Sequence, residues 1–419
     1  MNIWDDEKPT FGTTIFYDMY KKDALGHKII VTLKCSSFKK ETTLNFLKKK
    51  VKDIITMYPH FRCRIVDYEW KYFRVDYDKM IFQVDKTQSQ VADDILNTPF
   101  DTTLPGWNVV VTNDNHIIFS CDHTYGDGAY IASVIKEIFD DDSLNNMSLP
   151  KSNSKTNLLF NPFEIISRVK LFFRIIYLIY IRFISIYLFS FFFNTNNVTQ
   201  SKNTVQQIKI AELSLTDLKK LQNTYSERNN GKYFSINDIL HSIIVKANHD
   251  YLKKGTITSA AMFNMRKDIT DIHKENKWGC IFLANEVKKD MSAKCILSEV
   301  HDFMEFYKKT PATWLISKAM HLYYDWNNEN ACHLLRFFNN KVDFVISNYV
   351  LPYKDKQLSN GITIENVSNI VTPCDVSQLY SILTYGDKVN ICLTYNSNII
   401  DDIIQLKSCF DNSYEWIQK

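Results

Sequence analysis

The sequence predicts an α+β fold built from two mixed regions of strand and helix. Runs rich in β-branched and aromatic residues alternate with amphipathic helical stretches from residue 28 to residue 139, and again after residue 204. Between these regions, residues 140–157 form a polar stretch rich in Asn, Ser and Lys, which is typical of a loop or linker. We therefore expect an N-terminal half at residues 1–150, a linker at residues 151–203 and a C-terminal half at residues 204–419.

The N-terminal half begins its regular pattern with a strand and a long helix. Residues 28–33 alternate as a strand does, and residues 42–57 place Leu47, Val51 and Ile54 on one helical face with lysines on the other. Further strands are expected at residues 61–66 and 72–77, where β-forming residues return.

A β-hairpin followed by a helix is predicted around residues 109–138. Two β-rich runs at 109–111 and 117–119 flank the turn-forming trio Asn113-Asp114-Asn115. Helical spacing of apolar residues resumes after Gly128. His123 therefore lies just beyond a strand end, in a loop that connects the strand to an amphipathic helix.

This loop, with the sequence HxxxDG at residues 123–128, is the strongest functional signal in the chain. An unperturbed imidazole titrates near pH 6.5, so His123 can take a hydroxyl or amine proton at neutral pH. Asp127 could orient the ring or hold the loop through a cation or backbone N–H groups, while Gly126 and Gly128 leave room beside the backbone. The alternatives are an ordinary turn histidine and a thiol nucleophile at Cys121, which shares a strand face with His123.

The segment at residues 163–193 is rich in Phe, Ile, Leu and Tyr but is interrupted by four cations. Its longest uncharged run, residues 183–193, is shorter than the roughly 20 apolar residues that a bilayer span needs. As a helix it has a basic side and a wide apolar side, which favours a helix lying in the membrane interface. A single span and a helix buried between the halves with snorkelling arginines remain the alternatives.

The C-terminal half contains a capped helix and several strands. Ser235 or Asn237 can cap a helix whose apolar positions continue to Leu252, with Gly255 closing it. A capping role alone would explain Asn237 and Asp238. Strands are expected in the C-terminal half at residues 260–266, 281–283, 343–347 and 389–393, the last after a turn at residues 385–388.

Composition excludes several classes of protein. The net charge of +3 offers no chain-wide basic footprint for nucleic acid. The nine cysteines, an odd number without a CxxC pair, favour a reducing compartment over a disulfide framework or a zinc site. The first nine residues lack the basic and apolar regions of a secretory signal, so we expect a protein that is not secreted.

Seven short elements follow one another along the chain in an informative order. They are Pro59-His60-Phe61-Arg62, Leu104-Pro105-Gly106-Trp107, the HxxxDG loop at 123–128, Asn237-Asp238, Asn264-Met265-Arg266, Ser347-Asn348 and residues 381–390. This series resembles the motifs of the CoA-dependent acyltransferase superfamily, and within it the bifunctional wax ester synthase/diacylglycerol acyltransferases. The resemblance covers most of the chain, and HxxxDG and Asn-Asp are its individually specific motifs.

The resemblance implies two chloramphenicol-acetyltransferase-like halves that pack face to face around an active-site tunnel. In that family, acyl-CoA enters one mouth of the tunnel and an alcohol enters the other, and a histidine in the position of His123 takes the proton of the alcohol. Asp127 is then a structural residue that pairs with Arg266. The implied supporting residues of the site are Asp127, Gly128, Arg266, Asn237 and Asp238.

The implied reaction is an O-acyl transfer from acyl-CoA, as a co-substrate, to a lipid alcohol such as a long-chain alcohol or diacylglycerol. It implies no metal and no other cofactor. Together with the segment at 163–193, it predicts a protein at the cytoplasmic face of an intracellular membrane, either the endoplasmic reticulum or a lipid droplet.

Two departures from the family pattern define the rival interpretations. Most members have a second histidine directly before the HxxxDG histidine, where this chain has Asp122, and the late Ser347-Asn348 element lacks the glycine that usually follows it. The rivals are a condensation-type or short-chain acyltransferase, a catalytically inactive lipid-binding relative, and an unrelated membrane-associated protein.

Overall fold

The computed structural model describes most of the two predicted halves. The described residues are 9, 11–20, 26–36, 40–139, 205–227, 232–264, 278–309, 321–322, 324–326, 332, 336, 342–351, 362–373 and 376–419. Arg266, the linker at 151–203 and the segment at 163–193 lie outside them. Within the described ranges, every helix falls short of the length and apolar character that a bilayer crossing requires.

The elements alternate as the sequence predicts. The helices are α1 (Phe11–Tyr20), α2 (Lys40–Met57), α3 (Tyr77–Met80), α4 (Gln88–Asn97), α5 (Gly128–Phe139), α6 (Leu215–Glu227), α7 (Ile236–Leu252), α8 (Ala293–Lys309) and α9 (Ile403–Gln418). The strands of the first half are β1 (Lys28–Cys35), β2 (Cys63–Val66), β3 (Glu69–Tyr72), β4 (Ile81–Gln83), β5 (Trp107–Val111) and β6 (His116–Asp122). Those that follow are β7 (Val205–Ser214), β8 (Thr256–Asn264), β9 (Trp278–Glu286), β10 (Phe344–Val350), β11 (Ile364–Val371), β12 (Gln378–Tyr385) and β13 (Lys388–Asn396).

Two main sheets organise the molecule. The first has five strands in the order β11-β1-β6-β5-β4, and the second has six in the order β7-β13-β12-β10-β8-β9. A small hairpin of β2 and β3 stands apart from both sheets. The fold is thus the predicted mixed α/β arrangement with two halves.

One strand crosses from the second half to the first. β11 pairs with β1 in antiparallel register, from Ile29 opposite Val371 to Cys35 opposite Ile364. β1 therefore has a neighbour on both edges, β6 on one side and β11 on the other. The boundary predicted near residue 204 stays a prediction, but the residues after it contribute to both sheets.

Three apolar clusters fill the space between the layers. The first joins one face of β1, β5 and β6 to α2 and α5, and it includes Ala260, Val345 and Leu379 from the second sheet. The second lies between the other face of the second sheet and helices α6 to α9. The third, smaller cluster places α4 on the remaining face of the first sheet. The first cluster therefore joins the two halves through shared apolar contacts.

The strand predicted at residues 72–77 is wrong. Tyr72 ends β3, and the chain turns into the short helix α3 at Tyr77. The reason is local capping, because the Asp76 carboxylate accepts hydrogen bonds from the backbone N–H groups of Asp78 and Lys79. A side chain that satisfies helical N–H groups ends the extended pattern that residue alternation had suggested.

Candidate active site

His123 begins a short 3-10 turn, residues 123–125, directly after β6. Its backbone N–H donates to the carbonyl of His27 at 2.6 Å. Strand pairing explains this neighbour, since β1 and β6 run antiparallel with Lys28 opposite Asp122. His27, one residue before β1, therefore lies beside the residue that follows β6, and the HxxxDG loop is anchored to the start of β1.

Two further rings enclose the imidazole of His123. The ring of Phe16, from α1, lies 4.0 Å from it between centroids, and the ring of His27 stacks on it at 4.8 Å. Burial, and then the nearby charge of His123, hold the pKa of His27 well below its usual range. His27 is thus a neutral neighbour of His123 at physiological pH. Sequence reasoning missed both Phe16 and His27, although the register of β1 with β6 would have indicated His27.

Asp122, which replaces the usual first histidine, caps the turn that carries His123. Its carboxylate accepts a hydrogen bond from the Thr124 N–H at 2.9 Å. Burial raises the pKa of Asp122, and this hydrogen bond partly opposes the rise. The carboxylate also lies close to Gly26, where a Cβ atom would be 3.1 Å from Asp122 Oδ2 and where φ is +66°. The acidic residue therefore holds the loop through the backbone.

Asp127 stabilises the start of the helix that follows the loop. Its Oδ1 atom accepts from the Tyr130 N–H at 3.0 Å, in the first turn of α5, and the side chain is buried. This contact fits a supporting residue, because a carboxylate at a helix N-terminus satisfies an otherwise unpaired donor. The predicted pair of Asp127 with Arg266 stays a prediction, since Arg266 lies outside the described residues.

The two glycines of the loop meet different surroundings. A Cβ atom on Gly126 would lie 2.2 Å from Tyr130 Cδ1, so the backbone approaches that ring too closely for any other residue. A Cβ atom on Gly128 would meet nothing within 4 Å, and Gly128 is exposed. Gly126 is therefore required by packing, whereas the space beside Gly128 is open.

A cluster of aromatic side chains packs against the HxxxDG loop. Tyr125 stacks on Phe61 with centroids 5.2 Å apart, and its hydroxyl accepts from the Gly106 N–H at 2.9 Å. The Trp107 ring N–H donates to the Phe61 carbonyl at 2.8 Å. The motifs at 59–62 and 104–107, which were recognised separately in the sequence, therefore meet beneath the histidine loop.

Cys121 does not fit the role of a nucleophile. Its side chain is fully buried in the first core, and burial raises the pKa of its thiol well above the usual value. A thiol that stays protonated and lies inside the core is a small apolar packing group. The alternative of a cysteine nucleophile at this position is wrong.

Asp238 organises the beginning of α7 in the second half. Ser235 and Asp238 form a reciprocal capping box, and Asp238 Oδ2 also accepts from His301 Nδ1 at 2.9 Å. Burial alone would raise the pKa of Asp238, but the hydrogen bonds from His301 and the Ser235 backbone outweigh it and lower the pKa. Asp238 is thus an ionised, fully buried anchor. His301 carries no motif that sequence reasoning could have used.

The side chain of Asn237 contacts β10, whereas that of the neighbouring Asp238 contacts α8. Its side-chain oxygen accepts a hydrogen bond from the Asn348 amide, which joins the start of α7 to the end of β10. Both residues line a cavity of about 380 Å³ in the second half. The structure therefore unites the Asn-Asp and Ser-Asn elements, 111 residues apart in sequence.

The described parts of the chain contain no group of three or more His, Cys, Asp or Glu side chains that could hold a metal ion. The chemistry available around His123 is that of an imidazole between rings, on a turn that hydrogen bonds fix in place.

The fold is the two-half mixed α/β fold that acyltransferases of the chloramphenicol-acetyltransferase and condensation-domain type also have. Residues 275–418 match the family described as WS/DGAT C-terminal domain. This is the family whose motifs the sequence resembles. No curated protein sequence matches the chain.

Solved structures share the fold over nearly the whole chain at low sequence identity. The wax ester synthase/diacylglycerol acyltransferase of Marinobacter aquaeolei VT8 is 11% identical, with a TM-score of 0.60 over 98% of this chain and 99% of its own. The trichothecene 15-O-acetyltransferase TRI3 of Fusarium sporotrichioides is 12% identical, with a TM-score of 0.62 over 97% and 94%. The starter condensation domain of rhizomide synthetase, solved with C8-CoA and Leu-SNAC, is 8% identical, with a TM-score of 0.58 over 98% and 94%.

Proposed function

We propose that this protein is an acyl-CoA-dependent O-acyltransferase that transfers a fatty acyl group to a lipid alcohol, with His123 as the general base. The observation that carries the proposal is the placement of His123 in an HxxxDG loop that is anchored at the end of β6. The family match and the shared acyltransferase fold support the reaction class. A long-chain alcohol or diacylglycerol is the acceptor that this family match favours.

In the proposed reaction, one proton moves through His123, a carbon–oxygen bond forms and a carbon–sulfur bond breaks. The imidazole of His123 takes the hydroxyl proton of the alcohol while the oxygen attacks the thioester carbonyl. The tetrahedral intermediate collapses, the carbon–sulfur bond breaks, and the imidazolium returns the proton to the CoA thiolate. An ester and free CoA result, so that atoms and charge balance without a metal or a redox partner.

The rings around His123 suit this cycle. Phe16 lies 4.0 Å from the imidazole, and an aromatic face stabilises a cation placed against it. His27 stays neutral beside it, so it adds no charge that would repel the transient imidazolium. The imidazolium form of His123 is therefore stabilised by the ring of Phe16 and is not repelled by a charge on His27.

The proposed acceptor also suggests where the protein acts. A water-insoluble alcohol is reached most directly from a bilayer or droplet surface, and the basic, apolar segment at 163–193 has the composition of an interfacial helix. We therefore propose a location at the cytoplasmic face of the endoplasmic reticulum or a lipid droplet. Membrane flotation of the full chain and of a deletion of residues 160–195 tests this, and unchanged membrane recovery would contradict it.

The decisive test of the reaction is the His123→Ala variant. We expect ester formation from palmitoyl-CoA and hexadecanol to fall by about 10²–10⁴-fold, the usual contribution of a general base. His116→Ala, at the other end of the same strand, should keep the activity. Retained activity in His123→Ala, with an unchanged thermal midpoint, would refute the assigned role.

A donor comparison separates the main rival. Condensation domains share the fold, so an acyl group on a carrier protein is the alternative donor. Turnover with the carrier thioester but not with acyl-CoA would replace the proposed donor and leave the role of His123 intact.

A further inference from the structure

A buried hydrogen-bond donor lies near His123, at the start of β9. The Nε1 atom of Trp278 is buried, and no described residue accepts a hydrogen bond from it. Most buried donors in folded proteins have an acceptor, and a donor without one is costly unless a ligand supplies it. We propose that the Trp278 N–H donates to the thioester carbonyl oxygen of the acyl donor and stabilises the negative charge that forms there during attack. This inference rests on the proposed function and adds an oxyanion donor to the general base.

The side chain of Trp278 projects towards the first half. Along β9, Ile281 and Leu283 belong to the second core cluster, whereas Cys280 and Phe282 pack against the first. Since side chains alternate between the two faces of a strand, Trp278 shares the face of Cys280 and Phe282. Its ring lies 5.4 Å from that of Phe16, which in turn lies 4.0 Å from the ring of His123. The indole is therefore on the side of the second sheet that faces the HxxxDG loop.

The distance between the indole and the imidazole suits one reacting carbonyl group. Both rings contact Phe16, so their centroids are less than about 10 Å apart. In the tetrahedral intermediate, the attacking oxygen lies about 3 Å from the base, and the oxyanion lies about 3 Å from its donor. Because the two oxygens are bonded to the same carbon, the base and the donor are roughly 5–8 Å apart. Two rings that contact the same phenyl ring can place their nitrogen atoms at this separation.

Other N–H groups close to the loop are already bonded within the protein. The backbone N–H of His123 donates to the His27 carbonyl, and that of Thr124 donates to the Asp122 carboxylate. These two hydrogen bonds fix the turn, so neither donor is directed at a substrate. The ring N–H of Trp107 donates to the Phe61 carbonyl. Trp278, in contrast, keeps its N–H available for a substrate oxygen.

The surroundings favour a neutral donor at this position. Phe16 is buried and apolar, so it excludes water from the space between the two rings. A hydrogen bond to a developing negative charge is stronger in such a low-dielectric place than in water. The indole N–H donates but does not accept, and it carries no charge. It can therefore stabilise the oxyanion without competing with His123 for a proton.

Trp278→Phe is the main test, because it keeps a ring against Phe16 and removes the N–H. Loss of one oxyanion donor usually lowers kcat by about 10²–10³-fold. For ester formation from palmitoyl-CoA and hexadecanol, we expect kcat to fall by about 10²-fold and KM to change by less than about threefold. Trp416→Phe, the same exchange in α9, is the matched control and should keep the wild-type kcat.

A variant of the same shape separates the N–H from the packing of the ring. Trp278 is replaced by benzothienylalanine, in which a sulfur atom takes the place of the ring N–H. We expect the same loss of kcat as in Trp278→Phe, at an unchanged thermal midpoint. A wild-type kcat in this variant would overturn the proposal, because the shape of the ring and not its N–H would then matter. Equal kcat values for Trp278→Phe and the wild type would overturn it as well.

Binding of unreactive analogues distinguishes failure of this inference from failure of the proposed reaction. Isothermal titration compares S-(2-oxodecyl)-CoA, which carries a carbonyl group, with S-decyl-CoA, which has none. The wild type should bind the ketone about fivefold more tightly, and Trp278→Phe should lose that preference. This result in a protein without transferase activity would retain the carbonyl contact and reject the reaction. Transferase activity that depends on His123 but not on Trp278 would do the reverse, and equal binding of both compounds by an inactive protein would reject both.

Discussion

The pH dependence of stability should reveal the buried histidine beneath the catalytic loop. His60 lies in the aromatic cluster that supports the loop, with its Nε2 atom 2.8 Å from the Tyr130 hydroxyl. Burial lowers the pKa of His60 to about 3. In the unfolded chain the same imidazole titrates near 6.5, so the two states bind different numbers of protons between these values.

The sign and size of the effect follow from this difference. Between pH 6.5 and pH 3 the unfolded state takes up a proton that the folded state excludes, so stability falls as the pH falls through that window. One such group changes the free energy of unfolding by at most about 1.4 kcal/mol per pH unit. From pH 7 to pH 5 the contribution of His60 amounts to a loss of about 2 kcal/mol. His241, whose pKa burial lowers to about 4, adds a loss of the same sign.

The perturbation that isolates His60 is His60→Gln, which keeps a polar side chain but cannot titrate. Urea unfolding followed by tryptophan fluorescence at pH 7, 6 and 5 gives the free energy of unfolding for each protein. We expect the loss between pH 7 and pH 5 to be smaller in His60→Gln than in the wild type by about 2 kcal/mol. Each protein is compared with itself at two pH values, so any loss of stability that the substitution causes at every pH cancels.

Tyr130→Phe provides the matched control. It removes the hydroxyl beside His60 and should cost about 1 kcal/mol at every pH, since the buried imidazole remains. Parallel pH profiles of the wild type and His60→Gln would refute the reasoning. So would a Tyr130→Phe profile as flat as that of His60→Gln.

Two other substitutions test the anchors of the site by urea unfolding. Gly126→Ala forces a Cβ atom against the Tyr130 ring and should lower the free energy of unfolding by about 1–3 kcal/mol, whereas Gly128→Ala should change it by less than about 0.5 kcal/mol; equal effects at the two glycines would contradict the packing argument. Asp238→Ala leaves the His301 and Ser235 donors without their acceptor and should cost about 1–3 kcal/mol, and a loss below about 0.5 kcal/mol would show that the buried carboxylate contributes little.

The strand, loop and helix around His123 were predictable because their signals are local. The turn trio at 113–115 falls between β5 and β6, and Asn115 adopts the positive φ of 61° that such a turn favours. The cap at Ser235 was likewise visible in the order of residues. At the turn and at the helix cap, the local conformation that the residues favour is the one found in the folded protein.

The surroundings of His123 were not predictable in this way. Helix α1, with Phe16, is far from the loop in sequence, and its contact with His123 depends on how the chain folds back. The meeting of Asn237 with Asn348 depends on the packing of α7 against the second sheet. Motif resemblance identified these asparagines but gave no distance between them, because motifs record order along the chain and not contact.

The burial of Lys28 shows the same limit. Lys28 begins β1, as the sequence predicts, but the sequence gives no sign of its side-chain contacts. Its Nζ atom donates to the carbonyls of Ile95 and Thr98 at 2.5 Å, at the end of α4. A cation there satisfies carbonyl groups that a helix leaves unpaired. Such a role needs the end of α4 to lie over β1, which no pattern within 28–35 can indicate.

The crossing of β11 into the first sheet has a consequence for synthesis on the ribosome. Residues 364–371 emerge long after β1, yet they complete one edge of that strand. Until then the nascent N-terminal half exposes the unpaired N–H and C=O groups of that edge, which attract other strands. A fragment that ends before residue 364 keeps this edge open, so the first half reaches its finished sheet only after residue 371 has been made.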